Sequence, residues 1–158
     1  MSTTTINSGV TLQVDAAART IERHLALLAA TGGSLSEGLR REMGEYMLGQ
    51  VQDRFDDQVL VDGSAMPQSA AAIERDGKTL IDKHHLYDSY TYNVLPSGVQ
   101  IGSNSVYARI HHFGGQAGRG HAIKIEARPV LGVNAADQAY LGTLVFEELE
   151  RLAPGGAR

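Results

Sequence analysis

Five of the chain's six histidines fall between positions 84 and 121, as His84-His85, His111-His112 and His121. Imidazole nitrogen is the commonest protein ligand for a transition metal, so the cluster first suggests a metal centre. The spacing does not make one. Adjacent side chains on a strand point to opposite faces, no His-Glu-x-x-His pair is present, and no carboxylate accompanies the histidines at ligand spacing. A nucleophilic triad can be drawn from Ser89, His112 and Asp88, but Ser89 does not sit in the Gly-x-Ser-x-Gly elbow that presents such a serine. The stretch GGQAGRG at 114–120 lacks the Lys-Ser/Thr pair that holds phosphate and Mg²⁺, so it reads as a flexible loop and not as a nucleotide cradle. Asp56, Asp57 and Asp62 have the number of a cation site but the setting of a helix end and a turn. Cysteine is absent, which excludes disulfides and thiolate ligands. No enzyme, metal or cofactor is expected; a hydrolase built on the histidines is the remote alternative.

The elements that must carry these residues are readable from periodicity. Val10, Leu12 and Val14 alternate with Thr11 and Gln13 as in a strand, and Asp15 can cap a helix with Ile21, Leu25 and Leu28 on one face, stopped by Gly32-Gly33. Ser34 and Glu37 have capping-box spacing, and Leu39, Met43, Met47, Val51 and Phe55 recur every four residues, predicting a second helix to about Phe55 and thus an N-terminal helical hairpin. Gly38, Gly44 and Gly49 each cost that helix up to ~1 kcal/mol relative to Ala, so each marks either close packing or nothing. Residues 57–85 show turn signals at Asp62-Gly63 and Asp76-Gly77 but no sustained period, which reads as a long connection, mobile in the free protein, with one helical turn near Ser69–Arg75. Tyr90, Tyr92 and Val94, then Pro96-Ser97-Gly98, then Val99 and Ile101, give a β-hairpin. Val106, Tyr107, Ile110 and Phe113 make a short apolar turn, Ala122–Glu126 a last strand, and Asn134 caps a C-terminal helix ended by Pro154-Gly155-Gly156, with 154–158 a tail. The expected class is α+β: helices packed on a small, mainly antiparallel sheet, in a single domain over 1–158.

Composition and charge narrow the function. The chain has 158 residues, 42% hydrophobic and 20% charged, enough to bury roughly 70% of its unfolded surface without a metal or disulfide staple. No apolar run reaches membrane-spanning length, and the start lacks the basic and apolar regions of a secretory signal, so synthesis in the cytoplasm and no membrane partner are expected. A net charge of -4 argues against a generally basic nucleic-acid binder. The charge is uneven: residues 1–80 carry 7 Lys/Arg against 11 Asp/Glu, residues 81–158 carry 7 against 7. Within the second half, Arg109, Arg119, Lys124 and Arg128 face only Glu126 in sequence, with His111, His112 and His121 beside them. This basic stretch reads either as a solvated loop or as a contact surface for an acidic partner face, with Asp53, Asp56 and Asp57 of the first half as acidic groups that such a face could offer.

Three ordered motifs carry a resemblance over about 34–150. LIDKHHLYDSYTYNV at 80–94, IGSNSVYARIHHFGG at 101–115 and EARPVLGV at 126–133 are similar to the virion morphogenesis, or tail completion, family of tailed phages and prophages, Mu-like and P2-like. Leu86 and Ser89 hold the step into the hairpin; Tyr107, Ala108, Ile110, His111, Phe113, Gly114 and Gly115 the central motif; Ala127, Arg128, Pro129, Leu131 and Gly132 the last. Met66 stands where the family usually has tryptophan, His112 for its glutamine, Val130 for its phenylalanine and His84-His85 for its Thr-Gly. The resemblance implies a tail-terminator-like α+β fold and a structural part of the virion neck. Such a part would form a homo-oligomeric ring, a hexamer by expectation, in contact with the tail tube and the head-neck connector, with packaged DNA as a further partner in the lumen. The alternative it leaves is a head morphogenesis or DNA-retaining connector factor. Within the motifs, Tyr107 and Phe113 are expected to anchor the short turn in the core, Gly114-Gly115 to permit a sharp exit, and Arg128-Pro129 to fix the chain's direction.

Overall fold

A computed structural model describes residues 35–152, together with isolated positions 25, 26, 29 and 33. The expected N-terminal strand, all but three residues of the first helix, and the 154–158 tail lie outside the described residues. The first described element, α1 (Glu37–Asp57), carries the four-residue apolar repeat on its buried face, including Leu39, Met47, Val51 and Phe55. Its cap is Ser36, two residues later than expected from Ser34: the Ser36 hydroxyl accepts from the Leu39 amide at 3.1 Å. Gln58, in the left-handed region, closes the other end with its N–H on the Arg54 carbonyl.

Strands β1 (Tyr90–Leu95) and β2 (Gly98–Ser103) pair antiparallel across the Pro96-Ser97 loop, in a register running from Tyr90 opposite Ser103 to Leu95 opposite Gly98. Helix α1 lies across this hairpin, and Gly44 decides how closely. A Cβ built at Gly44 would sit 2.3 Å from the Tyr92 ring, so of the three helical glycines this one marks close packing, whereas Gly49 has open space beside it. Val51, Phe55, Met66, Tyr90 and Val130 form the core. Phe55 meets Tyr87 and Tyr90 with ring centroids 5.6 and 5.7 Å away in tilted geometry. Burial raises the Tyr90 phenol above its usual range.

The 57–85 segment, read as a connection without apolar anchors, is built into this core. Val59 and Ala65 bridge around the Asp62-Gly63 turn, and Met66 follows into the core with its amide on the Gln58 carbonyl at 2.7 Å. The Gln58 side chain accepts from the Thr79 amide at 2.6 Å and donates to the Thr79 and Phe55 carbonyls, while fully buried Thr79 holds the Ser69 amide with its hydroxyl. The expected helical turn is α2 (Ala70–Glu74), capped by Ser69. Side-chain hydrogen bonds thus replace the missing apolar period.

Helix α3 (Ala108–Phe113) leads into two three-residue strands, β3 (Gly115–Ala117) and β4 (Ile123–Ile125), paired antiparallel as a second sheet. The glycine-rich loop expected at 114–120 therefore supplies a strand at 115–117. Helix α4 (Ala135–Leu152) starts where Asn134 accepts the Asp137 amide at 2.9 Å, as its cap position implies. It packs on α1, with Tyr46 stacked on Tyr140 at 4.2 Å. The class is α+β, with two small antiparallel sheets in place of one.

A buried clamp joins these parts. Arg54 sends one guanidinium nitrogen to the Val130 and Gly132 carbonyls, each at 2.8 Å, and another to the Asp137 carboxylate at 2.5 Å. Asp137 also accepts from the Tyr46 hydroxyl and the Asn134 amide. Burial and the neighbouring Asp137 carboxylate both raise the Tyr46 pKa, which keeps that donor protonated.

Candidate assembly surface

Helix α3 has the spacing of a core helix and the environment of a surface one. Val106 is 81% exposed, Tyr107 65%, Phe113 73% and, on β4, Ile123 57%. This corrects the expectation that Tyr107 and Phe113 anchor the turn in the core. At six residues, α3 is too short to bury a face along its length, and it is tied to the rest of the chain where the His111 carbonyl accepts the Arg128 amide at 2.7 Å. Ile110, half-buried, lies in van der Waals reach of Gly115. Gly114, at φ +71, faces the Ala127 amide and the Ile125 carbonyl so closely that a Cβ would stand 2.9 Å from both, which is why the sharp exit requires glycine there.

The basic stretch divides in two. Arg109, Arg119, Lys124 and His121 are exposed, and none pairs with a carboxylate among the described residues. Arg128 is instead 6% exposed, with its guanidinium on the Pro67 carbonyl at 2.7 Å, the Glu126 carbonyl at 3.1 Å and the Glu126 carboxylate at 3.4 Å. It is a strut between the last motif and the 57–85 segment, most of its surface covered by the chain itself. Pro129 continues that strut, its carbonyl accepting the Val61 amide at 3.0 Å. His111 and His112 are half-buried. Burial, then the Arg128 charge, lowers the His111 pKa, and its Nδ1 has no hydrogen-bond partner; burial alone lowers that of His112. Among the described residues no group of three or more histidines and carboxylates gathers as a metal ligand set, and no helix is long and apolar enough to cross a membrane.

Leu86 and Ser89, in the first motif, are partly buried. Leu86 packs against the core. The Ser89 hydroxyl bonds the Leu86 carbonyl and the Ser103 hydroxyl, both at 2.6 Å, fixing the step into β1 to the end of β2. Met66, where the family usually has tryptophan, is a core side chain, so that departure changes packing and leaves the surface unaltered.

Between α2, the 80–86 segment and β4 runs a groove of about 650 Å³ into which Tyr107, His111 and Arg128 also open. The spacing of the sequence offered no sign of it, because its walls come from four separate segments.

A loss below ~1 kcal/mol is expected for Phe113→Ala in the isolated protein, since truncating an exposed ring leaves no cavity. Urea unfolding of the two proteins checks this; a loss of core size would return Phe113 to the interior.

The family described as phage virion morphogenesis matches residues 16–150. The Mu-like prophage FluMu G protein 2 of Haemophilus influenzae is 42% identical over 65 residues, covering 41% of this chain and 47% of that relative. The chain thus spans about half the length of the curated relative that it matches. No solved structure matches the chain significantly.

Proposed function

This chain belongs to the phage virion morphogenesis family, and from that premise we propose that it acts at the neck of a tailed phage as a tail completion or tail terminator ring that joins tail to head. The observation that carries the reading is the α3–β4 surface. Four large apolar side chains stand exposed there, Val106 and Phe113 beside Arg109 at one depression and Tyr107 and Ile123 beside Lys124 at the groove, with Arg119 exposed in the β3–β4 loop. Grouped apolar exposure of this kind marks a contact surface, and unneutralised charge around it steers orientation. A ring built head-to-tail uses two different faces of each copy, so the acidic groups of α1, Asp53, Asp56 and Asp57, are suitable counterparts to the basic rim. A hexamer is the expected copy number, with the tail tube and connector proteins as neighbours. No step of this role calls for catalysis.

A second reading, a connector factor that retains packaged DNA, draws on the same exposed Arg109, Arg119 and Lys124. Deleting the gene from the phage that carries it separates the two. Filled heads beside unjoined tails are expected; loss of heads or emptied heads would transfer the protein to the head side, and normal particles would overturn both. Negative-stain images of the purified protein should show closed rings.

A further inference from the structure

We propose that β4 is an acceptor edge, to which an extended acidic segment of another protein chain adds as a third strand, lying in the groove beside α2. Among the described residues β4 pairs with β3 alone, so the backbone groups of its outer edge carry no hydrogen bond to another described residue. That edge is one wall of the 650 Å³ groove, whose lining includes Ile123, Lys124 and Ile125 in sequence. An unpaired edge over a cavity is a template for strand addition, with main-chain bonds giving affinity and the cavity taking alternate side chains.

The side chains specify which strand. Leu80, Leu86 and Ile125 are half-buried in the groove, and Tyr107 and Ile123 stand exposed over it, giving apolar seats for every second residue of an incoming strand. Arg75, Lys83 and Lys124 line it without an ion pair, and buried Arg128 lies at its edge; of the two acidic residues, Glu126 is already engaged by Arg128 at 3.4 Å, leaving Asp82. Lys124 in the middle of the edge penalises a basic incoming strand by like-charge repulsion, and the surplus of positive charge favours one that alternates carboxylates with apolar residues. The polar face of the β1–β2 hairpin, with Thr91, Asn93 and Gln100 over a shallow depression, offers no such seats. The acceptor edge shares Tyr107, Ile123 and Lys124 with the α3–β4 surface and so rests on that surface being a contact surface; it does not depend on where in the particle the contact is made, so it can fail while the neck assignment stands.

The probe is a short blocked peptide alternating Glu and Val, added to the full-length protein, with amide exchange followed by mass spectrometry. Slowed exchange confined to 122–126 and the groove wall is expected, with Lys124→Glu weakening binding by about tenfold or more as an unfavourable charge is brought against the strand. The footprint on the unaltered protein decides even if a variant folds poorly. Equal binding of a Lys-Val peptide, binding without slowed exchange at 123–125, displacement by a thymidine oligonucleotide, or no binding at millimolar peptide would each overturn the proposal.

Discussion

Asp137→Ala should destabilise the protein by about 3–5 kcal/mol, the range for removing one member of a buried ion pair and leaving the other charge without compensation. The carboxylate is fully buried and is the acceptor for Arg54, the Tyr46 hydroxyl and the Asn134 amide. Its removal leaves the guanidinium still held by the Val130 and Gly132 carbonyls, so Arg54 cannot swing out to water without breaking those bonds as well. Asp137→Asn, nearly identical in shape, should be only partly milder because the lost charge is the larger part of the effect. Coupling is the sharper measurement. In Arg54→Leu with Asp137→Leu no unpaired charge remains, and the pair should cost clearly less than the sum of the single changes, though the carbonyls of Val130 and Gly132 stay unsatisfied. Urea unfolding midpoints across the four proteins test this, and additive losses would show that the two groups are not energetically linked.

Phe55→Ala should cost a similar ~3–5 kcal/mol, the penalty for truncating a fully enclosed aromatic ring. Phe55 is fully buried, sits between Tyr87 and Tyr90, and belongs to the core that joins α1, the hairpin, Met66 and Val130. Neighbours drawn from separate segments cannot all move inward at once, so the void should persist. The contrast with Phe113 matters more than either value: two phenylalanines, each closing an apolar repeat in the sequence, should differ several-fold in the stability that they contribute. Comparable losses for both would mean that α3 is docked in solution in a way its exposure does not suggest.

That contrast also shows where sequence reading ends. The repeat of α1, the Tyr90–Ile101 hairpin and the Asn134 cap were legible because each rests on interactions within a few residues. The Ser89 hydroxyl likewise bonds the nearby Leu86 carbonyl. The clamp was not legible, since its partners are 83 positions apart. One trace of it existed: Arg54 follows Val51 by three positions on the apolar stripe of α1, and a charge in such a stripe implies a buried partner. Arg128 reads as surface charge because the 109–128 stretch as a whole is basic, whereas its binding partners include the carbonyl of Pro67, sixty-one positions earlier. The anchoring of 57–85 by Gln58 and Thr79 escaped for a related reason: polar side chains that substitute for an apolar core leave no period. On α3 the apolar spacing was read correctly and its destination was not, because periodicity reports which face is apolar and says nothing of whether that face meets the chain itself or another molecule.

The seat of Tyr92 over Gly44 has a consequence for heredity. The ring occupies the volume where any side chain at position 44 would begin, with 2.3 Å between the built Cβ and the ring edge. A mutation at either position alone meets a penalty, a collision from 44 or a void from 92, while a small residue at 92 would make room for alanine at 44 and let α1 recover its helical preference. The two codons are therefore bound to change together or not at all, and lineages of this protein in which position 44 has gained a side chain should be the ones in which position 92 has given up its ring.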